Sequence, residues 1–170
     1  FAFSPEVDVL LKRAFAERCI AKSYLAIVRG YAPEAGTLDY ALRNERGQVQ
    51  EAQTTYQSLA QAELAVPFGK HETSRYSLMR LQPHTGRYHQ LRKHMAHLRH
   101  PIIGDRPHGC NKQNRLFKER WQMDTMLLHA QSLQFEHPLT GEQIVLHAPL
   151  QAEFCRMMAL MGWDLAIATK

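Results

Sequence analysis

Leu81-Gln-Pro-His-Thr-Gly-Arg-Tyr-His-Gln-Leu-Arg-Lys-His94, continuing through Met95 to Asp105, is the stretch on which the reading of the whole chain turns. Pro83 and Gly86 break the chain after a strand-like run, Thr85 is a residue type that caps helices, and Pro101 and Gly104 mark a second break. The spacing predicts a short helix from about Arg87 to His100. On a wheel of roughly 100° per residue, Leu91, Met95 and Leu98 form one apolar stripe, with Arg92 and Arg99 together on a neighbouring face. Arg87 falls in the predicted first turn, where backbone N–H groups already favour anions. Solvated surface arginines would produce the same spacing, so the wheel alone leaves the choice open.

Composition narrows the classes. Of the 170 residues 45% are hydrophobic, enough for one domain over 1–170 with its own core, and no apolar run is long enough to span a bilayer. Phe1-Ala-Phe lacks the charged and apolar regions of a secretory leader, and the three cysteines are far apart with no Cys-x-x-Cys spacing. These features predict a soluble, cytoplasmic protein without a disulfide framework or thiolate metal site. The formal charge of +5 is unevenly spread. Between Arg87 and Arg120, nine lysines and arginines face only Asp105 and Glu119, which leaves the rest of the chain net acidic. With Tyr88, Phe117 and Trp121 interleaved, that concentration is the footprint expected of a nucleic-acid contact.

Outward from the basic segment the pattern alternates between two periods. Ser4-Pro5-Glu6 starts a helix whose Val7, Leu10, Leu11, Ala14 and Phe15 predict one buried face up to about Cys19. Lys22 to Gly30 switches to period two, with Tyr24, Ala26 and Val28 opposed to Leu25 and Ile27, a strand covered on both sides. Gly36–Leu42 is a weaker strand, 44–53 a polar turn or mobile loop, and Thr54–Ala60 and Ser74–Leu81 are further strands. A helix from Asn114, a hairpin turning at His137–Glu142, and an amphipathic helix within Pro149–Gly162 complete the chain. The predicted class is α+β, a largely antiparallel mixed sheet flanked by helices.

Lys22-x-Tyr24-x-Ala26-x-Val28-x-Gly30, the Leu81-to-His94 string, His100-Pro-Ile-Ile-Gly-Asp105, Leu128-His129-Ala130 and His137-Pro138 together resemble the RluA-type family of RNA pseudouridine synthases. His108-Gly109 and Asn114-Arg115 are most similar to the bacterial branch acting on uridine 65 of tRNA. The resemblance implies a pseudouridine synthase-like fold, RNA and most specifically tRNA as partner, a monomer, no cofactor and no metal. By motif position, Tyr24 is the stacking platform for an extruded base and Arg92 the partner of the nucleophilic carboxylate. Arg87, His89, Gln90, Lys93 and Arg99 are assigned to RNA contact. The family nucleophile is an aspartate in a His-Arg-Leu-Asp string, which this sequence does not contain. Phe1-Ala-Phe-Ser resembles the tail of the strand that comes after that string, so the expectation is a chain that begins after the catalytic segment and is inert alone. A non-catalytic RNA-binding module is the alternative. A metal site built from His89, His94, His97 and His100 is a third reading, weakened by the divergence of His97 and His100 from His94 on the wheel.

Overall fold

The structure, a computed structural model, describes residues 4–169. The expectation about Phe1-Ala-Phe lies outside the described residues. Helix α1 (Pro5–Ala16) starts as its sequence demands: the Ser4 hydroxyl accepts from the Val7 N–H at 3.2 Å and Pro5 takes the first position, where its missing N–H is harmless. The buried face expected of it is corrected by the structure. None of its residues is buried: Val7, Leu10, Leu11 and Ala14 are half-buried along one side and Phe15 is 51% exposed, and after the left-handed Arg18, at φ +63°, Ile20 enters the core.

Six strands form one sheet. They are β1 (Ala21–Arg29), β2 (Ala35–Asp39), β5 (Gln53–Leu64), β6 (Ser74–Pro83), β7 (Leu128–Glu136) and β8 (Gln143–His147), in spatial order β2-β5-β6-β1-β7-β8, and every pairing between them is antiparallel. Within the polar stretch expected as a turn or a mobile loop, residues 44–48 form the turn of a small hairpin of β3 (Leu42–Arg43) and β4 (Val49–Gln50). The Asn44 side-chain oxygen accepts from the N–H groups of Arg46 and Gln48 at 3.0 Å each, so a polar residue supplies the turn that apolar periodicity could not reveal.

Strand alternation sorts the core to the two faces of the sheet. Leu25, Ile27, Tyr76 and Leu78 pack with Phe117 of α3 (Asn111–Trp121) and with Phe154, Met157 and Met158 of α4 (Ala152–Leu160). Ala26, Val28, Met79 and Leu81 pack with Leu91 and Met95 of α2 (Gln90–His97). A short α5 (Ala166–Thr169), which no sequence pattern announces, comes last. Register then sets up the cleft: Tyr24 pairs with Leu81 just before β6 leaves the sheet at Pro83, so the ring stands beside the loop that leads into α2.

That loop corrects the predicted helix limits. α2 begins at Gln90, not Arg87, because the Gln90 side-chain oxygen accepts from both the Thr85 hydroxyl at 2.6 Å and the Arg87 N–H at 3.0 Å, folding residues 85–89 into a turn. Thr85 is therefore no helix cap, and Arg87 precedes the helix. At the other end α2 stops at His97, with Arg99 in the left-handed region at φ +65°.

Candidate active site

Tyr24, on β1, and Arg92, on α2, line a common cavity of about 320 Å³, open to solvent between strand and helix. Leu91, Met126 and Leu128 supply apolar wall; Lys22 and Arg87 bring positive charge to its rim. The walls exclude water on one side while the cations attract an anion on the other, a division of labour suited to a nucleotide. Burial pushes the Tyr24 phenol above its ordinary pKa, so it carries its proton at neutral pH. Burial also pulls the Lys22 ammonium below its usual range. Three larger hollows, of about 340, 460 and 750 Å³, lie elsewhere and are lined by other residues.

The Arg92 guanidinium is held at three of its five N–H groups. Nε donates to Asp105 Oδ2 at 2.8 Å, Nη2 to Oδ1 at 2.7 Å, and Nη1 to His89 Nε2 at 2.8 Å. Asp105 is 1% exposed at its side chain and Arg92 15%, so this is a desolvated bidentate pair. Burial alone would raise the Asp105 carboxyl, but hydrogen bonds from Arg92 and the His108 N–H outweigh it and hold the group below the ordinary carboxylate range. Two guanidinium N–H groups remain for a ligand.

The expected RNA-contact residues divide. Arg87 lies at the rim with Nε donating to the Glu51 carbonyl, and Lys93 donates to the Arg43 carbonyl while its ammonium stands 5.7 Å from the Tyr88 ring centre. Arg99 is exposed beyond the end of α2. His89 stacks on Tyr88 with ring centres 3.8 Å apart and uses both ring nitrogens within the protein. Gln90 is buried, its oxygen bound to Thr85 and Arg87 and its Nε2 donating to the Gln53 carbonyl and the Thr54 hydroxyl. That is the arrangement of a brace; no donor or acceptor of Gln90 is left over for RNA. The histidines of the metal reading are likewise dispersed: His94 bonds Thr54 and the Tyr40 carbonyl, His97 stacks on Tyr40, and His100 bonds the Arg29 carbonyl. No group of three potential ligands is assembled among the described residues.

A family model described as RNA pseudouridylate synthase matches residues 1–97 of the 170. The tRNA pseudouridine synthase C of Vibrio parahaemolyticus is 44% identical over 96% of this chain and 71% of its own length. The chain belongs to the RNA pseudouridylate synthase family. The protein of the same name from Yersinia pestis is 42% identical over 96% of this chain and 68% of its own length. Among solved structures, human RNA pseudouridylate synthase domain containing 1 superposes with a TM-score of 0.70 at 27% identity, covering 88% of this chain and 62% of that one. Human RNA pseudouridylate synthase domain containing 4 shares the fold, with a TM-score of 0.74 at 21% identity over 96% of this chain and 70% of that one.

Within that family frame, three residues went unassigned in the sequence. Asp105 ends a motif without a role of its own; Lys22 carries a signal in standing two positions before Tyr24 on one strand; His108 marks only a branch of the family.

Proposed function

We propose that this protein converts uridine to pseudouridine in tRNA, at the position 65 target of the branch it resembles, as a cytoplasmic monomer. The reaction breaks the bond from the ribose C1′ to uracil N1, turns the base, and joins C1′ to C5, whose proton is lost as N1 gains one. Atoms balance without an oxidant, a metal or an organic cofactor. The target base has to leave its stack before it can be reached, which calls for a platform and apolar walls. Tyr24 supplies the platform and Leu91, Met126 and Leu128 the walls. The phenol, which keeps its proton, can also stabilise by hydrogen bonding the charge that shifts as C5 loses its proton and the ring regains aromaticity. Arg92 holds the nucleophilic carboxylate ionised through its two unused N–H groups. The nucleophile itself is taken to be the aspartate of a His-Arg-Leu-Asp string, as in the family.

The observation that carries this reading is the shared cavity of Tyr24 and Arg92. It is tested with the full-length protein on tRNA transcripts labelled with tritium at uridine C5. Tritium release from the position 65 nucleotide, absent when that uridine is replaced by cytidine, is the expected result. Tight tRNA binding without release would replace the enzyme by a binding module.

A further inference from the structure

We propose that His108 is a positioning residue for Arg92, acting through His89 and with Asp105, an inference that rests on taking the Tyr24–Arg92 cleft as the active site. A guanidinium can only donate, so His89 Nε2, 2.8 Å from Arg92 Nη1, must carry a lone pair. Neutral His89 is then protonated at Nδ1, which lies 3.1 Å from His108 Nε2 and donates to it. His108 accepts there, and its own backbone N–H closes the circuit on Asp105 Oδ1 at 3.1 Å. Asp105, Arg92, His89 and His108 thus form one ring of hydrogen bonds in which the Arg92 donor places the His89 proton on Nδ1 and that proton calls for a lone pair on His108 Nε2. Removing the acceptor at His108 leaves the His89 Nδ1–H unpaired, so the tautomer that accepts from Arg92 loses one of its two supports and the contact with Nη1 loosens.

The loop carrying His108 is built to stay in place. Asn114 on α3 accepts from the Gly104 N–H at 2.9 Å and donates to the Asp105 carbonyl at 2.7 Å, clamping both sides of Asp105. A Cβ at Gly109 would stand 2.0 Å from the Asp105 carbonyl oxygen, so no larger residue fits beside the clamp. His89 holds a left-handed backbone at φ +55° and stacks on Tyr88, which fixes its ring from the other side. His108, Gly109 and Asn114, which the sequence singles out without a task, all converge on Asp105, His108 at its carboxylate and the other two at its backbone. Arg92, Lys93 and Asp105 are the charged groups that face the two imidazoles, and burial with the nearby cations keeps both rings below their ordinary pKa.

The test compares the parent, His108→Phe and His108→Gln in the full-length protein. Glutamine keeps an acceptor oxygen within reach of His89; phenylalanine keeps the ring shape and loses the acceptor. Nitrogen-15 spectra should show the parent His89 protonated at Nδ1 only, with a slowly exchanging Arg92 Nε–H. His108→Phe should lose both signatures and lower kcat roughly tenfold with KM within about twofold, and His108→Gln should restore both. An Nε2-protonated His89 in the parent, or a His108→Phe protein with unchanged Arg92 signal and unchanged kcat, would overturn the proposal. Should the parent isomerise no tRNA, the reading of the cleft falls, while the tautomer and the Arg92 signal still decide the positioning role.

Discussion

Arg92 and Asp105, thirteen residues apart on either side of a helix end, meet through two hydrogen bonds of 2.8 and 2.7 Å in a site where the carboxylate is all but sealed from water. The pair is more informative about function than about stability, since an ion pair buried this far gains little net free energy over an apolar packing of equal volume. Breaking it is another matter. Asp105→Asn leaves the guanidinium desolvated without its counter-charge and is expected to cost about 3 kcal/mol of unfolding free energy, read as a lowered urea midpoint at constant slope. Arg92→Lys keeps one positive charge but loses the fork that holds two carboxyl oxygens at once. Its tRNA affinity is expected to stay within about threefold while turnover falls at least about a hundredfold. Equal turnover in the lysine variant would remove Arg92 from the chemistry.

Tyr24 separates stacking from proton handling. Tyr24→Ala removes the platform, and base stacking on an aromatic ring contributes roughly 1–3 kcal/mol. Binding of target tRNA should weaken by roughly 5- to 150-fold. Tyr24→Phe keeps the ring, so binding should hold while the loss of the hydroxyl slows tritium release from C5. If alanine and phenylalanine variants bind and turn over alike, the ring does not receive the base.

Arg99 ends α2 in a left-handed backbone, a conformation costing a non-glycine residue roughly 1–2 kcal/mol. Arg99→Gly relieves that strain and should raise stability by about 0.5–1 kcal/mol after the glycine's greater unfolded-state freedom is deducted. The same change deletes an exposed cation assigned to RNA. The slope of log affinity against log salt should therefore shallow by roughly 0.7–0.9. A more stable variant with an unaltered slope would clear Arg99 of phosphate contact and leave the helix-end reading intact.

How far these features could be read in advance depended on whether a pattern or a tertiary contact decided them. β1 was legible because Tyr24, Ala26 and Val28 alternate with Leu25 and Ile27 and both sets enter the core clusters on their own faces of the sheet. The start of α2 was not. Thr85 and Gly86 read as a cap and break, yet the turn is decided by the Gln90 side chain folding back on Thr85 and Arg87, a choice among local hydrogen bonds that composition leaves undetermined. The same limit applies to Asp105. Its link to Arg92 spans a helix end and the turn after it, and no periodicity records that the loop returns to the helix. The amphipathic stripe of α1 misled for the opposite reason: periodicity reports that a face could be buried, and among the described residues its partners cover it only in part.

Acid should weaken this fold earlier than its carboxylates alone would dictate. His89, His94 and His108 each lie below the ordinary histidine value of 6.5, chiefly through burial and further through neighbouring positive charge. Burial is what holds His94 low, against the Tyr40 carbonyl, whose hydrogen bond favours the charged ring. Above about pH 7.5 these groups are neutral in both states and stability is flat with respect to them. As pH falls through 6.5, the unfolded chain takes up protons that the native state still refuses, so unfolding becomes easier with each step down to the depressed native values. The carboxylate of Asp105, also held low, extends the decline further into acid. Urea midpoints measured at about pH 8, 6.5 and 5.5 should fall in that order, and His94→Gln should shallow the fall between the last two. A midpoint that stays level across that range would mean that the three rings protonate as readily in the fold as outside it.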